Sequence, residues 1–548
     1  PQRERTRSRS SDFHHGLLAA LLALGLTAAC SGEPAEAERR ADVPEGLHAS
    51  APVVRSAPSA PPSTSRSERI EPGHAARSAA LTERFRARIA HWTGQARKLS
   101  KGKATSKNVR VAVCVRALGA RAELVALRAD APQAPASNMK LATTAAALIL
   151  LGHRAQWVTP VEAVGPFANG TLAGDLVVRA GGDPVFDPAG RGEVEGRFAE
   201  LARALRAAGL ERVQGDLVLD EGSFEAPGPG PSWPDPSQRW AEYCALAGGF
   251  SANGGVLHAL VRAGQAGAPA TLALHPAPHG LATSYGVRTT AGREVDVRVG
   301  ATATTVTVRG TLGARVGEYE AEFAHPDPVL LFGAQLEAAL RAQDIALAGG
   351  LRRARGTPRG TPLAELRSSL ADCLEAINSD SRNGVADQLF LSLGQALTGQ
   401  GTRAGGARAV ELALERLGVS AADLHQVDGS GLSRDDRVTA RALCALLERV
   451  LGAEPESARL YRDSLAVMGQ KGTLAERLRG TAAAGRVFAK TGWIAGVSAL
   501  SGYAEPEHGA ARVFSILIEY PSALGGLNTS CFKKLQDELV LLLFQDGA

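Results

Sequence analysis

The sequence predicts an α+β protein in which a helix-rich unit with a few strands is interrupted by a long β-rich stretch. Three observations carry this. Apolar residues at helical spacing dominate 138–151 and the region after Pro362. From about Gly165 to Gly360 the pattern changes to many short β-like runs separated by Gly and Pro. Strand-like runs then recur near both ends of the helix-rich part, at 110–116 and 497–519. The composition suits such a protein. The chain has 548 residues, 45% hydrophobic and 21% charged, with room for two to four domains at roughly 100–200 residues each. These values exclude a wholly disordered chain, a collagen and a multi-span membrane protein. A net charge of +5 over this length gives no argument for nucleic acid.

The elements follow in order. Arg3, Arg5, Arg7 and Arg9 precede an apolar run, Gly16 to Ala29, too short to span a bilayer as a mature helix. It ends in Leu26-Thr27-Ala28-Ala29-Cys30. Small residues before a cysteine resemble a bacterial lipoprotein signal, with Thr27 where Leu is usual, and make Cys30 the expected lipidation site. Either way residues 1–30 read as an export signal. Residues 31–79, rich in Ala, Pro, Ser, Glu and Arg, read as a disordered linker. A first helix is expected at 82–92, a strand at 110–116, and a strong helix at 138–151 with Ser137 at its edge and Gly152 as its stop. Inside the β-rich stretch two runs begin alike, Gly174-Asp175-Leu176 and Gly215-Asp216-Leu217, and 295–310 is one strongly β-like run. Helices are expected at 363–377, 385–397, 406–417 and 440–451, then strands at 497–503 and 513–519, and a closing helix near 531–544. The core is therefore assigned to 80–164 and 361–548, and the insertion to 165–360, in two subdomains.

Lysine usage is informative. Nine lysines stand against 52 arginines, and none falls between Lys140 and Lys471. Arg serves wherever a positive charge suffices, so an isolated Lys marks a place where losing a proton matters. The six cysteines show no CxxC pair and no Cys/His ligand spacing, which argues against structural zinc.

Three short motifs carry chemistry. Ser137-Asn138-Met139-Lys140 is an SxxK at a helix start, where i and i+3 share a face. A serine hydroxyl needs a base to become a nucleophile, and a desolvated lysine one turn on can be that base. The helix N-terminus adds N–H groups for an oxyanion. Ser381-Arg382-Asn383 is an SxN entering a helix, with a hydroxyl to relay a proton and an amide to bond a substrate. Lys490-Thr491-Gly492 precedes a strand; Lys and Thr together can hold a carboxylate, and Gly permits close approach. Alone, each has an ordinary explanation as a cap or strand end. Chance matches also exist: Ser100 to Lys103, Ser530 to Lys533, and Ser251-Ala252-Asn253. Order and context separate the signal from these.

The order SxxK, SxN, KTG is that of penicillin-binding proteins and β-lactamases. From about Arg110 onward the chain resembles the D-alanyl-D-alanine carboxypeptidase/endopeptidases of the penicillin-binding protein 4 type. The likeness also covers Pro135–Leu141, Gly181-Gly182-Asp183-Pro184, Asp428-Gly429-Ser430-Gly431-Leu432-Ser433, Gly472-Thr473-Leu474 and Gly496–Tyr503. The resemblance implies a transpeptidase/β-lactamase-like α/β/α core with an antiparallel sheet and two domains inserted between SxxK and SxN. It implies cleavage of the terminal D-Ala-D-Ala bond of peptidoglycan stem peptides, cutting of D-amino-acid cross-bridges in many members, and acylation by β-lactams.

Carried over, Ser137 is the acylated nucleophile and Lys140 its base. Ser381 passes a proton to the departing amine. Asn383 bonds substrate and orients Lys140. Lys490 supplies positive charge for the substrate carboxylate and lowers the pKa of Lys140, and Thr491 adds a hydroxyl. Gly492 allows close approach. The N–H groups of Ser137 and Trp493 form the oxyanion hole. Two departures stand out: Trp493 replaces the family's usual Thr, and Arg382 replaces a frequent Asp. No cofactor or metal is implied. The expected partners are peptidoglycan peptides, β-lactams as covalent inhibitors, and a membrane through the lipid anchor of an exported envelope protein. Two other readings share the core: a β-lactam or ester hydrolase, disfavoured by the lack of an obvious deacylating Glu, and a catalytically silent peptidoglycan-binding relative.

Overall fold

The computed structural model describes residues 74–120, 122–184 and 194–545. The expected export signal, Cys30 and most of the linker lie outside these residues. The linker's last residues do not: the first helix runs His74–Leu99, beginning earlier and ending later than its expected 82–92. The reason is a longer apolar stripe. Leu81, Phe85, Ile89, Trp92 and Ala96 recur at helical spacing and pack into one cluster against the sheet. Each large side chain so buried is worth about 1.5–3 kcal/mol.

The core is a six-stranded antiparallel sheet. Its order is Glu123–Leu127, Arg110–Ala117, Arg512–Glu519, Val497–Ala504, Val487–Ile494, Ala466–Val467. Both faces are covered. Val111, Val113 and Val115 point into the cluster with the first helix and the C-terminal helix Lys533–Leu542. Ala112 and Cys114, between them, point into the opposite cluster. That side is built by helices Lys140–Leu151, Leu370–Asn378, Asn383–Thr398, Arg403–Leu417 and Ala440–Leu451. With both faces buried, the strands read as near-continuous apolar runs rather than as apolar–polar alternation.

The β-rich stretch builds a separate apolar cluster. The two look-alike strands, Asp175–Arg179 and Leu217–Asp220, lie side by side in parallel, Leu176 opposite Leu217. The expected run at 295–310 is a hairpin, Val295–Ala301 with Thr305–Gly313, its turn at Thr302. The expected helix at 363–377 is strand first: Thr361–Ser369 pairs with Gln156–Val164, and the helix starts only at Leu370, behind a Ser369/Asp372 capping box. The residues Thr361-Pro362-Leu363-Ala364-Glu365 lack a helical stripe, and a neighbouring strand decided their state. This pairing sets Gln156 opposite Ser369 and Ala163 opposite Thr361, and the Leu370 N–H bonds the Ala155 carbonyl at 2.9 Å. The chain thus leaves and regains the helical core at one place, so the long excursion leaves the core's geometry intact.

Candidate active site

Ser137 lies in a short 3₁₀ turn, Ala136–Met139, rather than in the α-helix, which begins at Lys140. Ala136 holds a φ of +47° and is fully buried. A non-glycine residue in that region costs on the order of 1–3 kcal/mol and persists only where surroundings enforce it. Gly431 enforces it: a Cβ there would meet the Ala136 carbonyl oxygen at 1.9 Å. The turn leaves Ser137 half-exposed between buried neighbours.

Lys140 is fully buried and its amine makes three hydrogen bonds. It donates to Ser137 Oγ at 2.9 Å, Asn383 Oδ1 at 2.6 Å and the Ser430 carbonyl at 2.7 Å. Asn383, at the start of its helix, donates in turn to the Tyr243 carbonyl at 2.8 Å. One turn further, Asp387 is buried with neither carboxylate oxygen in a well-formed hydrogen bond. Desolvation lowers the Lys140 pKa to about 8, held from falling further by Asp387, Asp428 and Asp436. Desolvation and Asp428 push Asp387 up to about 7. Asp436 is raised well above the carboxylate range by burial and Asp428. Asp428 accepts from Gly431 N, Ser433 N and the Trp233 indole at 2.6–2.8 Å.

The third motif sits within a strand, Val487–Ile494, not at a strand end as expected. The Lys490 carbonyl is tied to the SxxK turn. With its amide oriented to satisfy both ends, Asn138 donates to it at 2.8 Å and accepts from Ser501. Gly492 is where the two segments meet: a Cβ would lie 2.7 Å from the Pro135 carbonyl oxygen and 3.2 Å from Asn138 N. Only glycine lets this strand come so close. Lys490 is fully buried, and its amine bonds the Thr491 carbonyl at 3.2 Å. Its pKa is lowered well below that of a free lysine by desolvation and by the charge of Lys140, with Asp380 opposing. The two amines are thus within electrostatic reach of each other, and burial is the largest influence on both. The Thr491 hydroxyl bonds Thr473 Oγ1 at 2.9 Å. Trp493 is 49% exposed, and its indole interacts with Tyr520.

Ser381 joins two helices with a φ of +65°. The structure thus links Ser137, Lys140 and Asn383 by direct bonds. It ties Lys490 and Gly492 to the Ser137 turn and sets Asp380, beside Ser381, within electrostatic reach of Lys490. Sequence reasoning missed Ser430, Asp387, Tyr243 and Thr473. The Asp428-Gly429-Ser430-Gly431 segment carried a signal, its paired glycines. A backbone carbonyl such as that of Tyr243 carries none.

Comparison with known proteins agrees with this geometry. Residues 97–542 match the family model described as "D-Ala-D-Ala carboxypeptidase 3 (S13) family". The chain belongs to that family. It is 35% identical over 403 residues to a D-alanyl-D-alanine carboxypeptidase of Actinomadura sp. (strain R39), covering 70% of this chain and 72% of that one. It is 26% identical over 392 residues to the D-alanyl-D-alanine carboxypeptidase DacB of Haemophilus influenzae, covering 69% and 79%. The crystal structure of penicillin binding protein 4 from Haemophilus influenzae shares the fold: TM-score 0.70 at 22% identity, over 82% of this chain and 99% of that one.

As an S13 member the chain is a penicillin-binding, serine-type D-Ala-D-Ala carboxypeptidase with an α+β transpeptidase-like fold, an exported enzyme of the cell envelope. The silent-relative and hydrolase readings are not favoured. Among the described residues no helix is long and apolar enough to cross a membrane. Cys114, Cys244, Cys373, Cys444 and Cys531 are all buried and free.

Proposed function

We propose that Ser137 carries the acyl-enzyme of this carboxypeptidase, and that Lys140 is the base that activates it. The observation that carries the reading is the three-way bonding of the Lys140 amine. A neutral amine has two N–H bonds and one lone pair. Asn383 Oδ1 and the Ser430 carbonyl can only accept, so they take the two N–H bonds. The lone pair is then left for the Ser137 hydroxyl at 2.9 Å, within general-base distance.

In this reading Ser137 Oγ attacks the carbonyl of the penultimate D-Ala while its proton passes to Lys140. The main-chain N–H groups of Ser137 and Trp493 hold the oxyanion; losing one such donor costs on the order of 10²–10³ in rate. The proton taken up by Lys140 is then relayed through the Ser381 hydroxyl to the nitrogen of the departing D-Ala, so that Ser381 ends protonated and Lys140 neutral. Water then attacks the ester, freeing the shortened peptide and Ser137. Asn383 bonds the substrate amide and holds Lys140. Thr491 and Lys490 receive the terminal carboxylate. Burial disfavours the charged form of Lys490, and a carboxylate bound beside it favours that form. The same steps apply to D-amino-acid cross-links of peptidoglycan.

The assignment of 165–360 as an insertion on a core of 80–164 and 361–548 belongs to this proposal. It is supported by the adjacent strands at its ends. So does anchoring through Cys30, supported by the residues before it. The decisive experiment combines fluorescent penicillin with a pentapeptide ending in D-Ala-D-Ala. The wild type takes up label and releases D-Ala, and Ser137→Ala does neither. Label retained by Ser137→Ala would move the nucleophile elsewhere.

A further inference from the structure

The left-handed Ser381 needs an explanation that the reaction does not supply. Its φ of +65° is unfavourable for any residue with a Cβ and must be enforced from both sides. On the side before it the enforcement is backbone. Asp380 N bonds the Glu375 carbonyl at 3.2 Å, and Thr473 N bonds the Ser379 carbonyl at 3.1 Å.

On the other side the Arg382 N–H bonds the Ala376 carbonyl at 2.9 Å, and the β-rich stretch adds the side-chain contacts that fix where Arg382 points. Arg382 places its guanidinium on both oxygens of Glu322, at 2.6 and 3.3 Å. Such a two-pronged pair fixes direction as well as distance. Glu322 lies on the strand Glu318–Ala324, which pairs with Val256–Arg262 and sets Glu322 opposite His258. The His258 ring is 2.8 Å from Glu320 and 3.8 Å from Glu322. The next residue is gripped by the same region through the Asn383–Tyr243 bond of 2.8 Å. Beside it, a Cβ on Gly384 would meet the Gly254 carbonyl oxygen at 2.4 Å. Glu242 and Asp380 add negative charge around Arg382.

We propose that Arg382 and Glu322 are positioning residues: their ion pair lets the β-rich stretch hold Ser381 in the conformation that serves proton transfer to the leaving amine. This rests on the role given to Ser381 above. It gives the stretch a part in turnover, because the strand bearing Glu322 holds a motif sixty positions away in sequence.

The test uses the full chain with Glu322→Gln, Arg382→Gln, and the exchange of both, Glu322→Arg with Arg382→Glu. Glu320→Gln is the control, since Glu320 meets His258 but not Arg382. Each single change is expected to slow acylation by fluorescent penicillin and kcat for D-Ala release about 10–100-fold. KM should stay within about threefold and Tm nearly constant, because a positioning defect acts in the transition state. The exchanged pair is expected to recover at least about tenfold over either single change, and Glu320→Gln to match wild type. Singles as fast as wild type would overturn the proposal. So would an exchanged pair no better than the singles, or an equal loss in Glu320→Gln. Wild-type protein that took no penicillin label would instead sink the reading of Ser137 and Ser381, and the clamp with it.

Discussion

Two buried lysines lie within electrostatic reach of each other, one on the helical side and one on the sheet, and the structure treats them differently. Lys140, on the helical wall, makes hydrogen bonds to three acceptors and feels three carboxylates, Asp387, Asp428 and Asp436. Lys490, on the sheet wall, bonds a single carbonyl, with Asp380 the one carboxylate acting on it and Lys140 repelling it. Both lose hydration, which disfavours the ammonium form. Lys140 has the richer compensation and settles at about 8, while Lys490, with Asp380 alone in its favour, is lowered well below the ordinary lysine range. Burial decides that a lysine can be a base. The surrounding carboxylates decide at what pH, and which of the two it is.

The sharpest way to break this comparison is to remove one lysine's ability to lose a proton. Lys140→Arg keeps the charge but not the base, and acylation is expected to fall about 10³–10⁴-fold, the scale of lost general-base catalysis. Lys490→Arg keeps what the carboxylate needs and is expected to fall only about tenfold. Stopped-flow acylation by a chromogenic β-lactam measures both. Equal losses would mean that the two walls do the same job. Gly492→Ala probes their spacing. Its Cβ meets the Pro135 carbonyl at 2.7 Å, so the strand must retreat from the Ser137 turn, at a cost of about 10² in kcat/KM with the fold intact.

A smaller and more specific effect is expected in pH dependence. In the proposed mechanism the neutral form of Lys140 is the base, so the acylation rate should climb with pH up to about 8 and level off above it. Asp387→Asn removes one of the charges that hold that value up, so the climb should move to lower pH, raising the rate near pH 7 a few-fold. Stability gives an independent reading of the same groups. Asp387 is raised to about 7 from an ordinary 3.8. Between those values the folded state holds a proton that the unfolded state has lost, so stability falls as pH rises through that window. Lys140 is lowered from 10.5 to about 8. There the unfolded state binds more protons, and stability rises with pH from 8 toward 10.5. Asp387→Asn should flatten the first slope and start the second at lower pH, because Lys140 loses a charge that held its pKa up; both are measured as Tm against pH. An unchanged first slope would show that Asp387 is not the group responsible.

The residues that identify the protein were legible in the sequence because their chemistry is local. Ser137 and Lys140 share a helical turn, and Lys490, Thr491 and Gly492 are contiguous. The helices 383–398 and 440–451 were legible because their apolar stripes repeat at helical spacing. What was not legible depends on neighbours distant in the chain. Thr361–Ser369 became strand because Gln156–Val164 lies beside it. The burial of Lys490 and its nearness to Lys140 were not legible, because sequence order does not bring those two lysines together. Arg382 looked like a departure from a pattern until Glu322, sixty positions earlier, proved to be its partner. The first helix was underestimated because its charged residues hid a stripe that only the sheet makes visible.

The mildest expected change concerns Trp493, at the exposed end of the sheet wall. With 49% of its surface open, it contributes little to the core, and Trp493→Thr should alter Tm only slightly. Its effect should fall on substrate. A threonine there adds a hydroxyl one residue beyond Gly492 and removes an indole that narrows the approach to Lys490. KM for a D-Ala-D-Ala pentapeptide is therefore expected to drop about two- to fivefold, with β-lactam acylation almost unchanged, because the reacting groups of Ser137 and Lys140 are not touched. The main-chain N–H at 493 remains, so any oxyanion contribution is kept. A loss of more than about tenfold in kcat would contradict this. It would place the indole among the groups that hold the transition state, and the two walls would then differ in shape as well as in proton affinity.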